Sequence, residues 1–100
     1  LNNKERKEKI LHDILQERQN QDDKWRIQHH SFDRWLSILG EEYGEVCKAV
    51  NENKPDEYRE ELIQVAAVCI AMIEDFHVDN CCFRNFYKTD NYNIKVSIDG

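Results

Sequence analysis

Proline and glycine are close to missing: one Pro and three Gly in 100 residues. That excludes a fold made of many tight turns, such as a β-sandwich or barrel. Long apolar runs are missing too. The longest, "VAAVCIAMI" over 65–73, is far shorter than the ~20 residues a membrane-spanning helix needs. No apolar segment follows a basic start, so no secretory leader is expected, and the chain reads as cytosolic with no membrane partner. Positive charge is in deficit, with 14 Lys and Arg against 20 Asp and Glu and a net charge of −6. Nucleic-acid binding needs a basic stripe, so no nucleic acid is expected as a partner. A phosphate-bearing ligand stays open where a divalent cation bridges it to the acidic surface. The four cysteines, Cys47, Cys69, Cys81 and Cys82, lack the paired spacing of a structural zinc site, even with His77 near the last two. Reduced structural thiols are expected instead.

What is present is helical patterning, and the expected fold class is all-α in a single domain over 1–100, with a core over 22–80 and a tail over 81–100. A first, highly charged helix is expected from residue 3 to about 20, with Ile10, Leu11, Ile14 and Leu15 as a narrow apolar stripe. "NQDDKWRIQHH" then loses the period and reads as a loop. Ser31 is a good N-cap and Asp33 suits a first turn, so a second helix should run from there to about Asn51. "NENKP" breaks it, and Pro55 fits the first position of a third helix reaching about His77. In the tail, a short helix over 80–88 and an extended end are expected.

The stretch "LGEEYGEV" over 39–46 crowds three carboxylates beside apolar residues. With Leu39 at zero on a helical wheel, Phe32, Trp35, Leu36, Tyr43, Val46 and Val50 fall within about 60° and define a core face. Glu42 falls at about −60° and Glu45 at about −120°, along one flank, while Glu41 turns toward solvent. The third helix repeats the arrangement. With Val65 at zero, Tyr58, Leu62, Cys69, Met72 and Phe76 form the face, and Glu61 falls at about −40°, with Glu57 and Gln64 on the same flank. An unpaired carboxylate near a core is costly, and no Lys or Arg lies on those flanks. If the helices face each other, a metal held by oxygen ligands fills that need, which favours Mg²⁺ or Mn²⁺ over zinc.

These residues carry a resemblance. "GEEYGEV" followed by "REELIQV" resembles the MazG-like nucleotide pyrophosphohydrolases of the all-α NTP pyrophosphatase superfamily, small phage and prophage members included. Their signature is E-E-x-x-E on one helix and E-x-x-D on the next. Glu41, Glu42 and Glu45 match the first part and Glu61 opens the second, but Gln64 stands where Asp is expected. "KWRIQHH" is similar to a W-x-x-x-H segment placed near the nucleotide base, and "HVD" at 77–79 resembles the third-helix end of dCTP-hydrolysing relatives. The tail matches poorly, although "KTDN" resembles a degenerate form of a Lys/Asn-bearing segment that touches phosphates in that family. Residues 22–80 carry the match.

The resemblance implies hydrolysis of a nucleoside triphosphate to the monophosphate and pyrophosphate. Mg²⁺, with Mn²⁺ as a substitute, would be held by Glu42, Glu45 and Glu61, with Gln64 offering a neutral oxygen. It would neutralise phosphate charge and activate the water that attacks the α-phosphorus. Glu41 or Glu45 would orient or deprotonate that water. Trp25 would stack on the base, and Lys24 and His30 would contact base or phosphate. Gln64 in place of Asp weakens the cage, and Glu57, one turn before Glu61, is placed to supply the charge.

The third helix bears on assembly. Ile63, Ala67 and Ile70 lie opposite the Val65 face, so the helix is apolar all round. A helical bundle completed by oligomerisation, as homodimer or homotetramer, is expected, and the resemblance implies the same. Two other readings stand beside the enzyme: a non-catalytic helical relative that binds nucleotide or a partner, which Gln64 favours, and a plain oligomeric helical protein with solvated carboxylates.

Overall fold

A computed structural model describes residues 1–76. Among them are three helices and no strand: α1 (Asn3–Trp25), α2 (Phe32–Asn51) and α3 (Pro55–Glu74). The all-α expectation holds. The segments expected over 80–88 and beyond lie outside the described residues, as do His77, Cys81 and Cys82.

α1 starts with a capping box: the Asn2 side chain accepts from the Glu5 amide at 2.8 Å, and the Glu5 carboxylate reaches back toward the Asn2 amide. The expected stop near residue 20 is wrong, since the helix continues to Trp25. Its polar second half needs no apolar period. Bonds one turn apart, Gln16 to Asn20, Arg18 to Asp22 and Gln19 to Asp23, support it instead. None of its residues is fully buried.

α2 is capped by Ser31, whose hydroxyl accepts from the Arg34 amide, with Asp33 in the first turn. The chain leaves α2 through Asn53 at φ 57, a left-handed conformation that Asn tolerates better than most residues. Pro55 then opens α3. So short a connection makes α2 and α3 an antiparallel pair. α1 lies on the other side of α3, parallel to it. The ion pairs Asp13–Arg59 (3.0 Å) and Arg18–Glu74 (2.6 Å) follow in the same order along the two helices. α3 therefore sits between α1 and α2, which barely touch each other.

The core is small. Trp35, Val68 and Ala71 form its centre, with Ile38, Leu39 and Met72 packed around them. Val46, Ala49 and Ala67 are also buried. This corrects the expected core faces. Leu36, Tyr43 and Val50 of α2 are 59–63% exposed, and Tyr58 and Leu62 of α3 are 41% exposed. Ala67, expected opposite the core, is completely buried. The reason is steric. A helix apolar on all sides has no single face that burial favours, and helices approach most closely where side chains are small. α3 turns Ala67, Val68 and Ala71 inward to its neighbours and leaves Tyr58, Leu62 and Ile73 outside.

Candidate active site

The rotation of α2 moves its carboxylates. Trp35, Ile38, Glu42, Val46 and Ala49 recur every three or four residues along its inner face. Glu42 thus lies in line with the buried residues and is half-buried itself. Burial pushes its carboxyl pKa above the ordinary value, and the charges of Glu61, Glu45, Glu41 and Glu17 add to the shift. Glu61 on α3 is also half-buried and raised, first by burial and then by Glu45, Glu60, Glu57 and Glu17. The Glu42, Glu45 and Glu61 side chains have no cation partner among the described residues.

Two hollows flank this acidic layer. On one side, a cleft of roughly 370 Å³ is bounded by all three helices. Its wall carries Trp25 and Trp35, Arg18, Arg26 and Arg34, then Glu41 and Glu42. Arg34, Ile38, Glu41 and Glu42 follow one another along α2, so the basic and acidic ends of that wall lie about 12 Å apart. Trp35 is the buried floor. Its indole donates to Asp75 at 2.7 Å. Trp25 is exposed at the rim. Arg26 caps α1 at φ 65 and ψ 179, a backbone that non-glycine residues rarely hold. On the other side, Glu45 and Glu61 share a groove with Glu57, Glu60, Lys48 and Lys54. Glu57 already has a cation there, the Lys54 ammonium at 3.8 Å.

The remaining sequence-derived residues fall as follows. Glu41 is exposed at the cleft mouth beside Glu42. Gln64 is half-buried and lines a third hollow, between α1 and α3. Lys24 is not on the cleft wall; its ammonium sits 4.9 Å from the centre of the Trp25 ring. His30 packs edge-on against Trp35 and contacts Gln28 at 2.6 Å, and its amide donates to Asp75.

Sequence reasoning missed Glu17, Asp75 and the arginines of the cleft. Asp75 had a signal: a carboxylate at a helix C-terminus opposes the helix dipole and needs donors. Glu17 had one too: it lies seven residues after Ile10 and three after Ile14, on the narrow apolar stripe of α1.

The donor set near Glu42 is all oxygen, which suits a hard divalent cation such as Mg²⁺ or Mn²⁺. Among the described residues, no three His, Cys, Asp or Glu stand close enough as they are to hold one ion in common. Ligation would need the carboxylates to swing inward, and the mutual repulsion that a cation removes opposes that. Cys47 and Cys69 are free thiols, half-buried. No described helix is long and apolar enough to cross a membrane.

No curated protein and no solved structure matches the chain. The family described as phosphoribosyl-ATP pyrophosphohydrolase matches it over residues 9–86, a span that takes in most of α1 as well as both acidic helices. An all-α, MazG-like pyrophosphohydrolase domain is thereby identified, and the chain belongs to the phosphoribosyl-ATP pyrophosphohydrolase family.

Proposed function

We propose that the protein is a Mg²⁺-dependent pyrophosphohydrolase that splits a nucleoside triphosphate into the monophosphate and pyrophosphate. The observation that carries this is the cleft, which joins an exposed Trp and three arginines to a half-buried, cation-hungry Glu42. Trp25 offers a face for the base. The guanidiniums of Arg26 and Arg34, unpaired among the described residues, offset the charge of the phosphates. Glu42, Glu45 and Glu61 would hold the divalent cation with their side chains swung inward, and Gln64 would stand as the neutral fourth position of the motif. When bound, that cation supplies charge neutralisation at the phosphates and acidifies the attacking water. Water adds to the α-phosphorus, the bond from that phosphorus to the α–β bridging oxygen breaks, and pyrophosphate leaves with the oxygen. Glu41 or Glu45 orients the water and takes its proton.

Pyrophosphate release from a panel of NTPs and dNTPs, with phosphoribosyl-ATP included, tests the reading with and without Mg²⁺. Metal-dependent release supports it. Gln64 favours a second reading, a relative that binds nucleotide without turnover. Nucleotide-induced thermal stabilisation with no pyrophosphate would select that one.

Assembly belongs to the same proposal. Leu36, Tyr43 and Val50 on α2 and Tyr58, Leu62 and Ile73 on α3 are large, apolar and exposed. Their area is well suited to a second copy, as homodimer or homotetramer. Light scattering at micromolar concentration should give at least twice the monomer mass, and Tyr43→Glu should lower it. A folded monomer for the unaltered chain would rule the assembly out.

A further inference from the structure

We propose that Gln21 and Gln28 read the base of the nucleotide and select bases whose edge sets a ring carbonyl beside a ring N–H: hypoxanthine, guanine, uracil and thymine. This rests on the reading above, in which the cleft takes a nucleotide with its base at Trp25.

The cleft stripe of α1 carries the first part of the argument. Arg18, Gln21, Asp22 and Trp25 recur every three or four residues along the helix, and all line the cleft. Arg18 and Asp22 are engaged, with each other at 2.6 Å and, for Arg18, with Glu74 as well. Lys24, which is off the cleft wall, covers one face of the Trp25 ring and leaves the other to a ligand. Gln21 stands one turn before Trp25. It is half-buried, and neither end of its amide bonds any described residue. An amide partly withdrawn from water with nothing to bond is unfavourable, and a polar ligand edge beside it relieves that.

Gln28 supplies the second part. It lies between α1 and α2 and meets the same cleft, also half-buried. Its Oε1 is 2.6 Å from Nε2 of His30. A carboxamide oxygen only accepts, so the imidazole donates and the oxygen is turned toward it. His30 is itself held, by its amide on Asp75 and by its ring edge-on against Trp35. The Gln28 amide is therefore fixed in one sense. Its NH₂ group is the end left for a ligand, and it bonds no described residue. An amide presented by its nitrogen matches a base carbonyl and mismatches an exocyclic amino group, which itself donates. Gln21, whose amide nothing orients, can turn its oxygen to the ring N–H beside that carbonyl. Adenine and cytosine present the reverse pattern, an amino group beside a bare ring nitrogen. Stacking on Trp25 accepts any base, so the two amides set the preference. His30 acts through Gln28 and is a positioning residue.

Pyrophosphate release by the full chain with Mg²⁺ on two matched pairs, ITP against ATP and UTP against CTP, tests the proposal. Each pair differs only along that edge. kcat/KM should favour ITP and UTP by roughly tenfold. Gln21→Ala and Gln28→Ala should each bring the preference to about threefold or less. Gln28→Glu, which puts an acceptor where the donor was, should reverse it. His30→Ala frees the Gln28 amide to turn over and should flatten the preference by raising ATP and CTP, which a merely structural loss would not do. Gln19→Ala, on the same helix but off the cleft wall, should leave the preference unchanged. Far-ultraviolet circular dichroism confirms that each variant keeps its helices. Equal kcat/KM within both pairs would overturn the base reading and leave the pyrophosphohydrolase standing, and so would turnover confined to phosphoribosyl-ATP, whose base is an adenine. A preference that survives both Gln21→Ala and Gln28→Ala would overturn the assignment to these residues. Where no nucleotide is turned over, nucleotide-induced thermal shift replaces turnover, and ITP and UTP should stabilise more than ATP and CTP. No shift with any of the four would overturn the nucleotide reading, and this one with it.

Discussion

Glu42→Gln should leave the helices folded and lower pyrophosphate release by about 10²- to 10³-fold, the usual cost of losing one preorganised charge-stabilising group. The substitution keeps shape and polarity and removes only charge. Glu42 is the one motif carboxylate aligned with the buried face of α2, and it meets the cleft that holds Trp25 and the arginines. Its loss should therefore weaken the cation and its contact with the phosphates together. Stability without metal should move the other way. The folded pKa of Glu42 lies above its ordinary value, so its ionised form opposes folding. The favourable contribution is complete below the unfolded value of 4.5 and is lost as pH rises through the folded value. Gln mimics the protonated state at every pH. At pH 7 the metal-free variant should melt at or above the temperature of the unaltered protein, and added Mg²⁺ should stabilise it less. Full turnover in the Gln variant would remove Glu42 from the site.

The helices were legible in the sequence because their signals are local. Ser31, Asp33 and Pro55 mark ends by capping and by backbone constraint, and the structure puts α2 and α3 where those residues say. The carboxylates were legible because their spacing is unusual beside apolar residues. The faces were not. Which side of an all-round apolar helix meets its neighbours depends on how closely backbones can approach, and that is a property of Ala49, Ala67 and Ala71 in pairs of helices, not of any one period. Glu42 consequently moved from the flank of a face to its middle. The length of α1 was misjudged for a related reason: its second half is held by side-chain bonds between polar residues, which a hydrophobic period cannot register. The hollow that Glu17 and Gln64 both line depends on a helix register marked by Arg59 and Asp13, 46 positions apart in the chain. Nothing local announces such a pair.

Asp75→Ala should be among the most damaging single changes to stability, lowering it by about 2–4 kcal/mol. Asp75 follows α3, where a negative charge opposes the helix dipole and the last turn has no basic residue to offset it. Three donors hold it in place. The Trp35 indole donates at 2.7 Å, the His30 amide at 2.9 Å, and the His29 Nδ1 lies at 2.7 Å. Its side chain is only 8% exposed. Burial alone would raise its pKa. The bonds from His29, from the His30 amide and from Trp35 outweigh burial and bring it down to about 2. Alanine would leave the indole N–H and the His30 amide without their acceptor in a partly buried setting. It would also free the segment that joins α1 to α2 from the end of α3. Trp35 is the floor of the cleft and the centre of the core, so both should loosen at once. For a domain of this size the melting temperature should fall by roughly 10–20 °C. Trp35 emission should shift to the red as water reaches the ring. Asp75→Asn, which keeps one acceptor oxygen, should cost less. The pH dependence has a definite sign. The folded pKa lies below the unfolded value of 3.8, so this stabilisation is complete above about 3.8 and is lost as pH falls toward 2. The unaltered protein should lose stability across that window more steeply than Asp75→Asn. A melting temperature within about 3 °C of the original for Asp75→Ala would show that α3 and the α1–α2 connection are held together by something other than this carboxylate.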